Sequence, residues 1–171
     1  MIYKLIAVAA AGLAATLVLS VAGDAGAQGA PRSQATAGLP APPAPMKPHT
    51  GPLPALPRVS FEPPRSMAVV QQVYEFAARH PEVLQYVPCY CGCERVGHTA
   101  NHSCFIKSRA ADGRVTEWDT HGIGCTICID VAREAMGLFN SGSKPAAIRA
   151  AIDTKYGSQF PSSTPTPRPA R

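Results

Sequence analysis

Six cysteines fall between positions 89 and 128, and the chain has no others. Cys89, Cys91 and Cys93 read Cys-Tyr-Cys-Gly-Cys. Alternate side chains of an extended chain point the same way, so all three sulfurs can face one centre. Gly92 lets the backbone fold tightly around whatever sits there. Cys104 follows alone, and Cys125 and Cys128 form a Cys-x-x-Cys pair at an expected helix start. Residues three apart share a helix face, and the N-terminal end of the dipole favours thiolate, which is both the metal ligand and the nucleophile. His98 and His102 lie between Cys93 and Cys104, and His121 precedes Cys125.

Thiolate with imidazole suits zinc, copper or iron, and thiolate-rich sites select copper(I), zinc or iron–sulfur clusters. A structural zinc needs only four ligands. Six sulfurs with two or three imidazoles are enough for two ions or a polynuclear cluster, a surplus that tilts the expectation toward copper(I) over a single zinc. The predicted metal ligands are Cys89, Cys91, Cys93, His98, Cys104, His121, Cys125 and Cys128, with copper(I) or zinc as the ion. His102 ranks below His98 and His121. Haem is disfavoured, because neither cysteine pair reads Cys-x-x-Cys-His.

Two other readings remain open. An even cysteine count in an exported chain is the ordinary sign of disulfides, which would make this a stapled interaction module. The Cys125–Cys128 pair could instead serve a thiol–disulfide oxidoreductase, with Cys125 the nucleophile because it lies nearer the helix start. Neighbouring Cys-x-Cys residues bridge each other poorly, and disulfides leave the histidines unexplained. No paired carboxylates, nucleophile elbow or phosphate loop occurs, so no catalytic residue is assigned and an enzyme is not the favoured reading. Asp119 and Asp130 could orient a ligating imidazole, although surface or helix-terminal acids are the commoner case.

The elements that must position these groups are mainly α. Ser66 can cap a helix whose face is Met67, Val70, Val73, Tyr74 and Ala77. Pro81 opens a short second helix toward Tyr86, and Pro88 ends it. A Cys/His-rich loop from Cys89 to Cys104 shows no periodicity. A small β-hairpin follows, Cys104–Lys107 and Val115–Trp118 around Asp112-Gly113. Gly122 and Gly124 precede a strong helix from Cys125 to Phe139, with Cys125, Cys128, Ala132, Ala135, Met136 and Phe139 on one face. Ser143 and Pro145 start a last helix, with Ile148, Ala151, Ile152 and Tyr156 toward the core and Gly157 at its end. Tyr90, Trp118 and Phe139 are expected to pack around the site.

The flanks differ in kind. Leu5 to Ala22 is apolar and uncharged, and Ala25-Gly26-Ala27 supplies small residues where a signal peptidase cuts, so residues 1–27 read as a signal peptide or, failing cleavage, an anchor. Pro31 to Pro64 holds eleven of the eighteen prolines, so 28–65 reads as a disordered spacer and 158–171 as a disordered tail. The domain is then 66–157, exported to the periplasm or cell surface. It carries nine basic and nine acidic residues, which places the net charge of +5 in the flanks and argues against a nucleic-acid partner. The expected partners are a metal ion and a metal-transfer protein. Membrane contact is expected only through an uncleaved N-terminal segment.

Val87-Pro-Cys-Tyr-Cys-Gly-Cys93, Gly97-His98, Cys104-Phe-Ile-Lys, Trp118-Asp, His121-Gly and Cys125-Thr-Ile-Cys128 with Asp130 together resemble the bacterial PCYCGC-motif proteins. The resemblance spans about Val69 to Gly157, including the terminal Ile-Asp-x-Lys-Tyr-Gly. It implies export, often as a lipoprotein, yet this chain has no lipobox cysteine.

Overall fold

A computed structural model of the protein describes residues 44–170. The leader or anchor expected over 1–27, and the spacer residues before 44, lie outside the described residues. Among the described residues no helix is long and apolar enough to cross a membrane.

The first helix, α1, is Met67–Arg79, and the Ser66 hydroxyl accepts the Val69 N–H. Its predicted stripe is buried at Val70, Val73, Tyr74 and Ala77, while Met67 stays exposed at the first turn. The chain reverses at His80 into α2, Pro81–Leu84, with proline in the first turn where no N–H is required. Two single 3-10 turns, Cys93–Val96 and Asn101–Cys104, then carry the cysteine loop. The hairpin follows as β1, Ile106–Arg109, and β2, Val115–Trp118, antiparallel with Ile106 opposite Trp118. Gly113 takes φ +94° at the turn, and Asp112 Oδ1 accepts the Arg114 N–H. The residues between hairpin and long helix form one helical turn, α3, His121–Gly124. Helix α4, Thr126–Asn140, is the axis on which α1, α2, α3 and α5, Pro145–Gly157, all pack. The class is the one expected: mainly α, with a short hairpin and a Cys/His loop.

Two details of α5 differ from the periodicity. Lys144 takes the cap position without a side-chain hydrogen bond, and Ala151 faces solvent. Arg149 is buried instead, 7% exposed, because its charge is paired and hydrogen-bonded. Nε binds Asp153, and Nη1 donates to the carbonyls of Tyr86, Thr166 and Pro167. Pairing and hydrogen bonds offset the desolvation cost of a buried charge.

The domain extends beyond the expected limits, 66–157, because the described parts of both flanking segments, 47–65 and 158–170, bond to it. The spacer from Lys47 onward lies along it as an extended strap. The His49 N–H donates to Ala78 O, its Nδ1 accepts the Val115 N–H at 2.9 Å, and its Nε2 bonds Pro52 O. Trp118 Nε1 donates to Pro54 O, and Leu53, Leu56 and Val59 pack on the core. Beyond α5, Thr164 and Thr166 are buried, 2% and 0% exposed. Carbonyls of both segments serve donors of the domain: Pro54 O accepts from Trp118, and Thr166 O and Pro167 O from Arg149. The composition correctly denied these segments a core of their own, but not the use of the domain's.

His49 is therefore structural. Replacing it with Ala is expected to strand the buried Val115 N–H and cost about 1–3 kcal/mol, read as a lower denaturant midpoint. Metal content should not change, and a fall in content would contradict a purely structural His49.

Candidate metal centre

The site is built where the cysteine loop meets the first turn of α4. Cys89 and Cys91 keep the alternation of an extended chain, and their sulfurs lie 3.3 Å apart. Gly92 then turns the chain at φ +79°, which swings Cys93 inward to 3.7 Å from Cys104. Cys104 Sγ donates to Cys89 Sγ at 3.4 Å. Cys128, in the first turn of α4, is 3.4 Å from Cys89 and 3.6 Å from Cys91. Cys125 caps α4 and shares a ligand-sized space with Cys91, His121 and Cys128, their donor atoms all within 4.8 Å. Asn101 holds loop to helix, its N–H on Val87 O and its Nδ2 on Cys128 O.

Two imidazoles complete the cluster. His121 Nε2 lies 3.3 Å from Cys91 Sγ, and His98 Nδ1 lies 3.4 Å from Cys104 Sγ. The two rings meet edge to face at 5.2 Å. Asp119, just after β2, links the His98 ring to the backbone of His121. Its Oδ1 accepts the His121 N–H at 2.8 Å, and its Oδ2 is 3.5 Å from His98 Nε2. Asp119 is itself fixed by its N–H on Phe105 O and by its carbonyl, which accepts the Tyr74 hydroxyl at 2.6 Å. Burial, then the Asp119 charge, push the Tyr74 phenol above its usual range, so it remains a donor.

All eight residues singled out in the sequence thus converge. His102 does not join them. It is buried and its Nε2 accepts from Arg109 Nε. Burial, then the Arg109 charge, lower its pKa to about 3, so it stays neutral. Asp130 pairs with Arg65 away from the cluster. Of the aromatics, Trp118 packs on Tyr74, Tyr90 stacks with Tyr156, and Phe139 meets Phe76 and His80. Asp119, unlike Asp130, stands beside an imidazole, and its place two residues before His121 is the signal the sequence carries.

Each of the six cysteines is a free thiol. The closest sulfurs, 3.3 Å apart, are far beyond a disulfide of about 2.05 Å. Sulfurs sharing a tetrahedral ion at about 2.3 Å would lie about 3.8 Å apart, close to the separations found here. The electrostatics also ask for a cation. Hydrogen bonds from Cys104 and then Cys128 lower Cys89 to about 4. Cys91 is held below the thiol range by Cys104, then Cys125 and Cys128. Cys104, bonded to Cys128 and Cys89, is pushed up. Thiolates therefore sit among thiols, and among the described residues no Lys or Arg bonds any of the sulfurs. A buried anion without a partner is costly, and a bound ion removes that cost. The cluster can hold a metal ion.

Removing the Asp119 carboxylate, by Asp119→Ala, frees the His98 imidazole and strands the backbone N–H that places His121. Metal affinity is expected to fall about 10–100-fold, measured by competition with a chelator. An unchanged affinity would remove Asp119 from the account.

Fold and site define a small, mainly α domain organised around a cysteine–histidine cluster. Residues 46–169 match the family described as "protein of unknown function with PCYCGC motif", and the chain belongs to that family. No curated protein matches the chain, and no solved structure does.

Proposed function

We propose that the protein is an exported thiolate–imidazole metal-binding protein that holds copper(I) as a multi-ion cluster, for buffering or delivery outside the cytoplasm. The observation that carries this reading is the sharing of donors. Cys91, His121, Cys125 and Cys128 form one set, Cys89, Cys104 and Cys128 a second, Cys89, Cys91 and Cys93 a third, and Cys93, Cys104 and His121 a fourth. Cys89, Cys91, Cys93, Cys104 and Cys128 each belong to two sets, as bridging thiolates of a cluster do. Copper(I) favours thiolate and tolerates sulfur bridges. Zinc would be satisfied by the first set alone, a closed three-sulfur, one-imidazole site. It would leave Cys89, Cys93 and Cys104 buried with no duty. The continuous contact of all the sulfurs also speaks against a single redox pair at Cys125 and Cys128. Export is supported by the apolar run ending in Ala25-Gly26-Ala27.

Anaerobic purification under mild reductant, with metal measured by mass spectrometry beside free thiols, tests the proposal. More than one copper per chain is expected, and Cys91→Ser with Cys93→Ser should abolish its retention. A single zinc would replace the copper reading with a structural-zinc one. Metal-free protein with its cysteines crosslinked would end both.

A further inference from the structure

The donors of the cluster are not equally accessible. Cys89, Cys104 and Cys128 are 0% exposed and Cys93 is 3% exposed. Cys91 and Cys125 are only half-buried, and His121 reaches the surface beside them. The C-terminal segment covers the backbone of the buried Cys89. The Thr164 N–H donates to Cys89 O and its Oγ1 accepts the Cys89 N–H, both at 2.9 Å, while Thr166 Oγ1 donates to Thr99 O. The more accessible donors are Cys91, Cys125 and His121. They form one set with Cys128, and Cys128 belongs also to the wholly buried set with Cys89 and Cys104. One sulfur therefore links an outer group of donors to an inner one.

We infer that Cys91, His121 and Cys125 are an exchange port, through which copper(I) arrives as a thiolate complex and passes by way of Cys128 to the buried sulfurs. The inference rests on the copper-thiolate reading above and adds the route and the form of the cargo. The step is a ligand exchange. The Cys125 sulfur bonds to the copper of the incoming complex, the bond from copper to the carrier's sulfur breaks, and the Cys125 proton leaves to the departing thiolate. Copper stays in the +1 state and no electron is transferred. His121 and Cys91 then close around the ion, and Cys128 shares it inward. A soft carrier ligand is required, because a soft ion passes most readily between sulfurs of similar kind.

The test uses the full chain, reduced and metal-free, with copper(I) supplied in one arm on glutathione and in the other on a Cys-x-x-Cys peptide. Cys125→Ser is expected to take up its first copper at least about tenfold more slowly than the wild type, because the accessible attacking sulfur is gone. Slowing in either arm supports the port, and the slower arm names the carrier. Cys93→Ser, altered in the interior, should lower capacity without slowing the first ion. In the unaltered protein a bulky maleimide should label Cys125 and Cys91 well before Cys89, Cys93, Cys104 and Cys128, a measurement that needs no variant to fold. Uptake by Cys125→Ser at the wild-type rate in both arms, or equal labelling of the buried sulfurs, would overturn the port alone. Wild-type protein that retains no copper at all would overturn the metal reading and the port with it.

Discussion

Stripping the bound metal is expected to lower the thermal midpoint of this protein by about 10–20 °C. An ion present at a thousand times its dissociation constant stabilises the native state by about 4 kcal/mol, and each kcal/mol moves the midpoint of a domain this size by a few degrees. The effect should be large because the cluster is not an appendage. Cys89, Cys93, Cys104 and Cys128 lie in the same continuous core as Phe105, Ile123 and Ile129. Without metal, the acidic thiol of Cys89 sits in that core, and that of Cys91 at its edge, with only other thiols and His121 bonded to them. The measurement is calorimetry before and after a copper(I) chelator or a zinc chelator, under anaerobic reduction. A midpoint unmoved after complete metal removal would mean that the sulfurs pack well enough alone and that any ion is cargo with no structural share.

Gly122 is a second place where site and fold are inseparable. A Cβ there would lie 2.4 Å from Phe105 Cδ1 and 2.7 Å from Cys104 O. Gly122→Ala is expected to cost about 1–3 kcal/mol by overpacking and to displace His121 and Cys104 together, so metal retention should fall along with the denaturant midpoint. Retention at the wild-type level would show that the cluster tolerates movement of its frame.

The cluster's residues were legible in the sequence because their chemistry is local. Cys-Tyr-Cys-Gly-Cys and Cys-x-x-Cys each gather sulfurs by short-range geometry, and Gly92 and the start of α4 do what their residue types allow. The helices were legible because their apolar stripes have helical spacing. What escaped was every contact made by backbone at long range. Nothing in the proline-rich flank announces that His49 will accept the Val115 N–H, or that Pro54 will accept from Trp118. Such contacts leave no periodicity. The single turn of α3 was also hidden, since His-Gly-Ile-Gly has low helix propensity and is held by the packing of Gly122 beneath Phe105. Asp119 was visible as a residue but not as a clamp, because its role depends on the hairpin placing it between two histidines that are distant in the chain.

The segment after α5 should matter as much as a helix. Ending the chain at Phe160 removes Thr164 from Cys89, Thr166 from Thr99, and two carbonyls from the guanidinium of Arg149. At about 1 kcal/mol for each ordinary hydrogen bond, with more for those to a charge, the loss is expected to reach about 3–6 kcal/mol. It should appear as a large fall in the denaturant midpoint. Thr164→Val is the milder test, since it strands the Cys89 N–H and removes the hydroxyl bond to Thr166 but keeps the backbone half of the pair, and about 1–3 kcal/mol is expected. The two variants should differ in chemistry as well as in stability. Truncation uncovers Cys89 and opens a second path to the buried sulfurs, so the maleimide should reach Cys89 in the metal-free protein at a rate approaching that of Cys125. In Thr164→Val the segment stays in place and Cys89 should remain protected. A truncated chain as stable as the full one, with Cys89 still unreactive, would mean that the tail rests on the cluster without closing it.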